Sequence, residues 1–264
     1  MRRWLGRAAV ALGALLALLA VYGVLVEPRL LLEEERSEVA LPGLRAGAVE
    51  LEVAVLSDMQ IGMWWANTGM VEKAVERAVD RRPDVVLLGG DFVYSTDPDI
   101  DTQVDNVLEL LDPLIEAEIP TVAVLGNHDY AVGAQRELTT ALESQGIPVL
   151  LNESVPIPVP GGDGDRELYV VGLGPTVPDL ADPDAALADV PPDAPRVVLM
   201  HNPTAFPELP PGSAPSPSPV TRTAARWRCP GPRTGPTWGS PMRRRSSRTD
   251  GGRRTTARRA TGCS

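Results

Sequence analysis

Val122-Ala123-Val124-Leu125-Gly126-Asn127-His128-Asp129 decides how this chain reads. A short apolar run stops at a glycine and gives way at once to three polar side chains. Upstream, Val85-Val86-Leu87-Leu88 runs in the same way into Gly89-Gly90-Asp91. Downstream, Val197-Val198-Leu199-Met200 runs into His201-Asn202-Pro203. Nearer the start, Leu51, Val53 and Val55 alternate into Leu56, and the run ends at Ser57-Asp58-Met59-Gln60. Runs of this length bounded by turn residues are strands, buried where continuous and half-buried where alternating.

Helical spacing fills the gaps. Val71, Ala74, Val75, Ala78 and Val79 repeat every three to four residues. Val104, Val107, Leu108 and Leu111 mark a second helix, which Pro113 is expected to end or kink. Ala134, Leu138, Ala141 and Leu142 mark a third, before the apolar run Ile147 to Leu151. Leu168 to Val171 reads as a further strand. Strand and helix in alternation predict an α/β fold, a largely parallel sheet covered by helices. Ligands bind such sheets beyond the carboxyl ends of the strands. Asp58, Asp91, Asn127 and His201 each sit just past a strand, so the fold alone gathers them at one rim.

Bulk composition narrows the function. The chain has 264 residues and a net charge of −10. From Ala214 onward there are twelve arginines and a single acid, Asp250. The rest is therefore strongly acidic, which argues against nucleic-acid binding by the folded part. Both cysteines, Cys229 and Cys263, lie in the arginine-rich segment, so the body has neither a disulfide framework nor a thiolate metal site.

Arg2, Arg3 and Arg7 precede an uncharged, mostly apolar run from Ala8 to Val26, closed by Glu27 and Pro28. At about 1.5 Å per residue the run nearly spans a hydrocarbon core of roughly 30 Å. Residues 1–27 are expected to form a single-pass transmembrane anchor with the arginines in the cytoplasm and the body outside. A cleaved signal peptide is the rival reading, but no clean Ala-x-Ala site precedes a polar start. Residues 28–48 read as a charged stalk, and 49–211 as the folded domain. The segment 212–264 has no Leu, Ile, Phe, Glu or Lys, and is expected to be a disordered basic tail. A tail of this kind can also serve as an arm for anionic lipid or nucleic acid.

Carboxylates with one or two imidazoles suit Mn²⁺, Fe or Zn²⁺. Two such ions roughly 3.5–4 Å apart can clamp a phosphate ester, and a carboxylate must bridge them. Asp91, midway in the motif order, is the candidate bridge. Each motif also has a plain structural reading. Gly-Asp after a strand makes a turn, Asn-His-Asp caps a helix, and a histidine at a strand end can simply be hydrogen-bonded there. Trp64, Trp65 and Tyr94 can stack on a substrate or pack under the loops.

Taken together, Asp58-x-Gln60, Gly90-Asp91, Gly126-Asn127-His128-Asp129 and His201 resemble the calcineurin-like metallophosphoesterases, and most closely their membrane-anchored bacterial and archaeal branch. The resemblance covers roughly Val49 to Leu209. It implies a two-sheet αββα sandwich and a two-metal phosphoester hydrolase, with Asp58 and Gln60 on the first ion and Asp91 as bridge. Asn127 and His201 would bind the second ion. His128 would face the substrate as general acid or charge stabiliser, with Asp129 orienting it. Placement beside a bilayer implies a lipid-linked or cell-envelope phosphoester as substrate.

Two departures stand out. Most members carry histidine at the position of Gln60, whose amide oxygen is a weaker ligand. The family's final histidine pair is absent, since His128 and His201 are the only histidines. Back-translating Ser218 to Arg228 with GC-rich codons and reading from the third base of each codon yields Val-Ala-Gly-His-Thr-His-Gly-Gly-Gln-Val. The tail therefore reads as frameshifted and the domain as C-terminally incomplete, with weak metal binding and little turnover expected. The alternative is a catalytically inactive, membrane-anchored domain that binds a phosphorylated ligand or a partner.

Overall fold

A computed structural model describes residues 2–23, 32–41, 50–63, 68–159, 166–213, 216–217 and 224–227. All lie in one compact unit, Met1–Pro230. Trp64 and Trp65, the stretch 42–49 and most of the basic tail fall outside the described residues.

The first element is helix α1 (Arg2–Val21), followed by strands β1 (Glu34–Ser37) and β2 (Val39–Ala40). Strand β3 (Val53–Leu56), helix α2 (Thr68–Arg81), strand β4 (Val85–Leu88), helix α3 (Ile100–Glu116) and strand β5 (Thr121–Ala123) then alternate as expected. Two short helices, α4 (Asn127–Ala131) and α5 (Gln135–Ser144), lead to strands β6 (Glu153–Val159) and β7 (Arg166–Gly172). Helix α6 (Pro183–Leu187), strand β8 (Arg196–Leu199), a 3-10 helix (Pro203–Glu208), and strands β9 (Ser216–Pro217) and β10 (Ala224–Trp227) complete the described chain.

The main sheet has the order β1-β10-β3-β4-β5. Strands β10, β3, β4 and β5 run parallel, and β1 joins β10 antiparallel at the edge. A second sheet, β6-β7-β8, is mixed, with β6 antiparallel and β8 parallel to β7.

Alternation along the strands explains how the sheets stack. Val86 and Leu88 of β4 point into a cluster with Val71, Val75, Val107 and Leu111 of the covering helices. Val85 and Leu87 point the other way, onto Ile157, Leu168, Val170 and Leu199 of the second sheet. That is why β4 reads as a continuous apolar run: both its faces are buried. The far face of the second sheet packs Val171 and Leu173 against Ala186 and Val190. The layers are helix, sheet, sheet, helix, the expected αββα sandwich. Each fully buried valine or leucine here contributes about 1.5–3 kcal/mol.

Several details differ from the sequence expectation. Pro113 does not end its helix: α3 continues to Glu116, because buried Leu114 anchors the last turn. The stretch after Leu151 forms an unforeseen strand, β6. Its Pro156 and Pro158 are tolerated because β6 is an edge strand and its alternate residues Ile157 and Val159 are buried. The stalk contributes β1, whose Glu34 pairs with Arg81 at 2.9 Å and Arg77 at 3.5 Å on α2. Short strands β9 and β10 lie in the segment expected to lack structure. Composition there rules out a core, but pairing along the edge of β3 needs only backbone N–H and C=O groups.

Among the described residues no helix is long and apolar enough to cross a membrane. Helix α1 carries Arg2, Arg3 and Arg7 in its first two turns, and from Ala8 to Val21 it rises only about 21 Å.

Candidate metal centre

The loops after β3 and β4 are zipped together. Asp58 N–H donates to the Gly90 carbonyl at 3.0 Å, Gln60 N–H to Asp91 at 2.9 Å and Ile61 N–H to Phe92 at 2.8 Å. Met59, Ile61, Phe92 and Val93 are buried. Asp58-Met59-Gln60-Ile61 alternates polar with apolar, and Asp91 directly precedes Phe92 and Val93, so the apolar residues anchor the loops and Asp58, Gln60 and Asp91 are left for the rim. Those three share a left-handed backbone, with φ of 59°, 48° and 58°. For non-glycine residues such a conformation costs on the order of 1–3 kcal/mol and tends to gather at functional sites.

Glycines let the strand ends approach. Gly90 has φ of 87°, and a Cβ there would meet the Gly126 nitrogen at 2.4 Å. A Cβ at Gly126 would meet Asp91 Oδ1 at 2.1 Å.

The structure brings Asp58, Asp91 and His201 together: one ligand atom of each lies within 4.8 Å of the others. His201 Nδ1 lies 2.8 Å from the Gly89 carbonyl oxygen. A carbonyl can only accept, so Nδ1 carries the proton and Nε2 faces Asp91 Oδ1 at 3.3 Å. A metal-ligating histidine usually gives one ring N–H to a carbonyl or carboxylate and keeps the other nitrogen for the metal, and His201 has its Nδ1–H on a carbonyl and Nε2 on the side of Asp91. The donor set of two carboxylates and one imidazole fits a divalent ion such as Mn²⁺, Fe²⁺ or Zn²⁺.

The electrostatics follow from this contact. Burial works to raise the Asp91 carboxyl, but the His201 ring and the His128 N–H, which donates to Oδ1 at 2.9 Å, hold it below the usual carboxylate range. Burial likewise opposes a charged His201, yet Asp91 beside it holds the ring's pKa above the ordinary value.

The other expected residues take distinct places. Asn127 opens α4, and its Oδ1 accepts from Asn202 Nδ2 at 3.1 Å. The ring of His128 stacks on Tyr94, with centroids 5.2 Å apart and planes 27° from parallel. Gln60 is tied in by its backbone. Asp129 is not where the resemblance implies. Its two carboxylate oxygens accept the N–H groups of Asp91 at 3.0 Å, Val93 at 2.9 Å and Gly126 at 2.9 Å. It therefore clamps backbone, where an orienting bond to His128 was expected. Burial pushes its carboxyl up to about 6 against those three N–H donors.

Sequence reading gave no role to Asn202, although it follows His201 directly, nor to Thr176, whose sequence context carries no signal. Asn202 Oδ1 accepts the Thr176 N–H at 3.0 Å, and the Thr176 and Thr204 hydroxyls lie 2.8 Å apart.

This geometry coincides with a family match: the profile described as calcineurin-like phosphoesterase covers residues 51–227, more than half of the chain. The chain belongs to the calcineurin-like metallophosphoesterase family. The match runs past Pro211, where the sequence reading ended the domain, and takes in β10. Phosphodiesterase YaeI of Escherichia coli (strain K12) is 31% identical over 159 residues, 59% of this chain and 54% of that protein. An uncharacterized metallophosphoesterase of Aquifex aeolicus (strain VF5) is 34% identical over 110 residues, 41% of this chain and 39% of that protein. The chain thus spans about half or less of the curated relatives it matches. Within the metallophosphoesterase fold, the carboxyl ends of β3, β4, β5 and β8 carry its polar rim.

Proposed function

We propose that this metallophosphoesterase chain derives from a metal-dependent phosphoester hydrolase, with a phosphodiester as the substrate class. One observation carries the reading: Asp58, Asp91 and His201, far apart in sequence, place ligand atoms within 4.8 Å of one another at the strand ends. Asp58, Gln60, Asp91, Asn127 and His201 would hold two divalent ions, Asp91 between them. When bound, these ions supply the Lewis acidity that polarises the phosphoryl oxygens. The chain's own residues do the rest. Asp129 keeps the loops bearing Asp91 and Asn127 in register. His128, held face-on by Tyr94, presents its ring to the substrate and passes a proton to the departing oxygen or offsets charge on the phosphate. The likeness to YaeI, named a phosphodiesterase, supports the diester over a monoester.

The test is hydrolysis of bis(p-nitrophenyl)phosphate with added Mn²⁺. Turnover that depends on Mn²⁺ and vanishes in Asp91→Asn is the expected result. Metal-independent hydrolysis, or activity that survives Asp91→Asn, would refute the reading.

The same reading includes an impaired site. With His128 and His201 as its only histidines, the chain lacks the family's final histidine pair. A shifted reading frame across the codons for Pro211 to Arg228 accounts for the loss and restores Gly-His-Thr-His-Gly-Gly-Gln. Sequencing the genomic DNA there tests it. If the frame stands as given, the second reading gains: an inactive domain that binds a phosphorylated ligand or a partner.

Placement at a membrane belongs to the proposal too. Helix α1 leaves Leu12, Leu15, Leu16, Leu18 and Leu19 more than half exposed, and arginines flank its start. An anchor of residues 1–27, longer than α1 itself, would hold the domain outside the cytoplasm and favour a lipid-linked or cell-envelope phosphoester. Release of the full chain from membranes by carbonate at high pH would argue against this.

A further inference from the structure

We infer that Asn202 is a positioning residue, which decides which end of the Asn127 side-chain amide is offered to a cation. The inference rests on the reading of Asn127 as a metal ligand. An asparagine amide has an acceptor end and a donor end of nearly equal size, and only its partners choose between them. The choice here starts from the backbone. Thr176 N–H can only donate, so the Asn202 atom 3.0 Å from it is the carbonyl oxygen. The other end of the Asn202 amide is then a donor, and it meets Asn127 at 3.1 Å. The Asn127 atom it meets must accept, and so is Oδ1. That oxygen has a second acceptor direction, the one a cation would use. With the Asn127 amide reversed, an N–H would face the cation instead.

The anchor at the start of this relay is itself held. Asn152, in a left-handed conformation with φ of 56°, accepts the N–H groups of Gly174 and Asp182 at 3.0 Å each. Its own Nδ2 donates to the Leu180 carbonyl at 2.6 Å. The loop from Gly174 to Asp182 is pinned at both ends, and Thr204 holds the Thr176 hydroxyl. Thr176 N–H is therefore a fixed donor, and the relay Thr176, Asn202, Asn127 carries its polarity to the rim. Hydrogen-bond partners of metal ligands, when removed, typically weaken metal binding by about 10- to 100-fold.

The experiment is calorimetric titration of Mn²⁺ into the full chain, wild type beside Asn202→Ala, Asn202→Asp, Asn127→Ala and the Asn127→Ala/Asn202→Ala double variant. Both Asn202 variants should bind Mn²⁺ about 10-fold more weakly. In the Asn127→Ala background the Asn202→Ala change should add nothing, since the two act through one atom. Asn202→Asp is the sharper arm. It keeps an acceptor for Thr176 N–H, so it tests the idea even if Asn202→Ala does not fold. Its added negative charge would tighten cation binding if charge alone mattered, whereas loss of the donor to Asn127 Oδ1 should weaken it. Wild-type affinity in Asn202→Ala, tighter binding in Asn202→Asp, or additive losses would overturn the inference while leaving the Asn127 ligand reading intact. Unchanged affinity in Asn127→Ala, or no binding by the wild type, would overturn both.

Discussion

Asp129 Oδ2 accepts the backbone N–H of Asp91 at 3.0 Å, so one acidic residue holds the peptide of another whose side chain belongs to the candidate metal centre. The same oxygen accepts Gly126 N–H, and Oδ1 accepts Val93 N–H. An amide in its place would turn a donor toward backbone donors. Asp129→Asn is therefore expected to lose about 1–3 kcal/mol of stability, as buried polar groups left unpaired do. Thermal and denaturant unfolding of the metal-free chain would measure it. An unchanged melting temperature would mean that the clamp does not matter.

The raised pKa of Asp129 has its own sign. Its folded value of about 6 lies above that of an ordinary carboxyl. The protonated form is thus favoured by folding: the contribution is full below the unfolded pKa and is lost as pH rises through about 6. Wild-type stability should fall relative to Asp129→Asn between about pH 4 and pH 6. Parallel stability curves for the two proteins across that window would contradict this.

Asp91 and His201 act in opposite directions. The lowered Asp91 pKa adds stability above its unfolded value, lost as pH falls through the folded one. The raised His201 pKa adds stability below its unfolded value, lost as pH rises through the folded one. The metal-free pair is strongest between these limits. A metal needs the neutral ring, so Mn²⁺ affinity should climb as pH rises through the His201 pKa. Titrations from about pH 6 to pH 9 would follow it, and His201→Ala should remove most of that slope.

Tyr94 stacks on His128 and fixes the plane of its imidazole, which in the proposed mechanism would face the substrate. Tyr94→Phe keeps a ring there and should stay within about threefold of wild-type kcat. Tyr94→Ala should lower kcat by about 10-fold or more, with a smaller change in KM, because general acid–base assistance contributes about 10²–10⁴ and depends on placement. Equal losses in the two variants would point to the hydroxyl as the working part.

Gly126 has no room for a side chain beside Asp91. Gly126→Ala should cost about 1–3 kcal/mol through overpacking. It should also weaken Mn²⁺ binding by pushing the Asp91 carboxylate aside. A variant with native stability and native affinity would show that the strand ends can part without consequence.

Much of the centre was legible because apolar runs that end in polar residues are local signals. Val85 to Leu88 could be read as a strand buried on both faces, and Asp91 placed past its end, from neighbours in sequence alone. Strand β6 was not legible, since Pro156 and Pro158 argue against a strand unless its edge position is known. The role of Asp129 was not legible either. Its partners include Asp91 and Val93, more than 35 residues away, and nothing in Asn127-His128-Asp129 says whether the acid turns toward the histidine or toward the backbone.

From residue order came the α/β class, the rim of Asp58, Asp91, Asn127 and His201, and the absence of a further histidine pair. These depend on periodicity and composition, which are properties of neighbours and totals. Distance, donor direction and exposure came from the folded chain. Folding put His201 Nε2 on Asp91, Asn202 on Asn127 and Tyr94 on His128, because hydrogen bonds and ring contacts form between groups that packing of the two sheets brings together. Sequence separation does not encode such meetings until the core has closed.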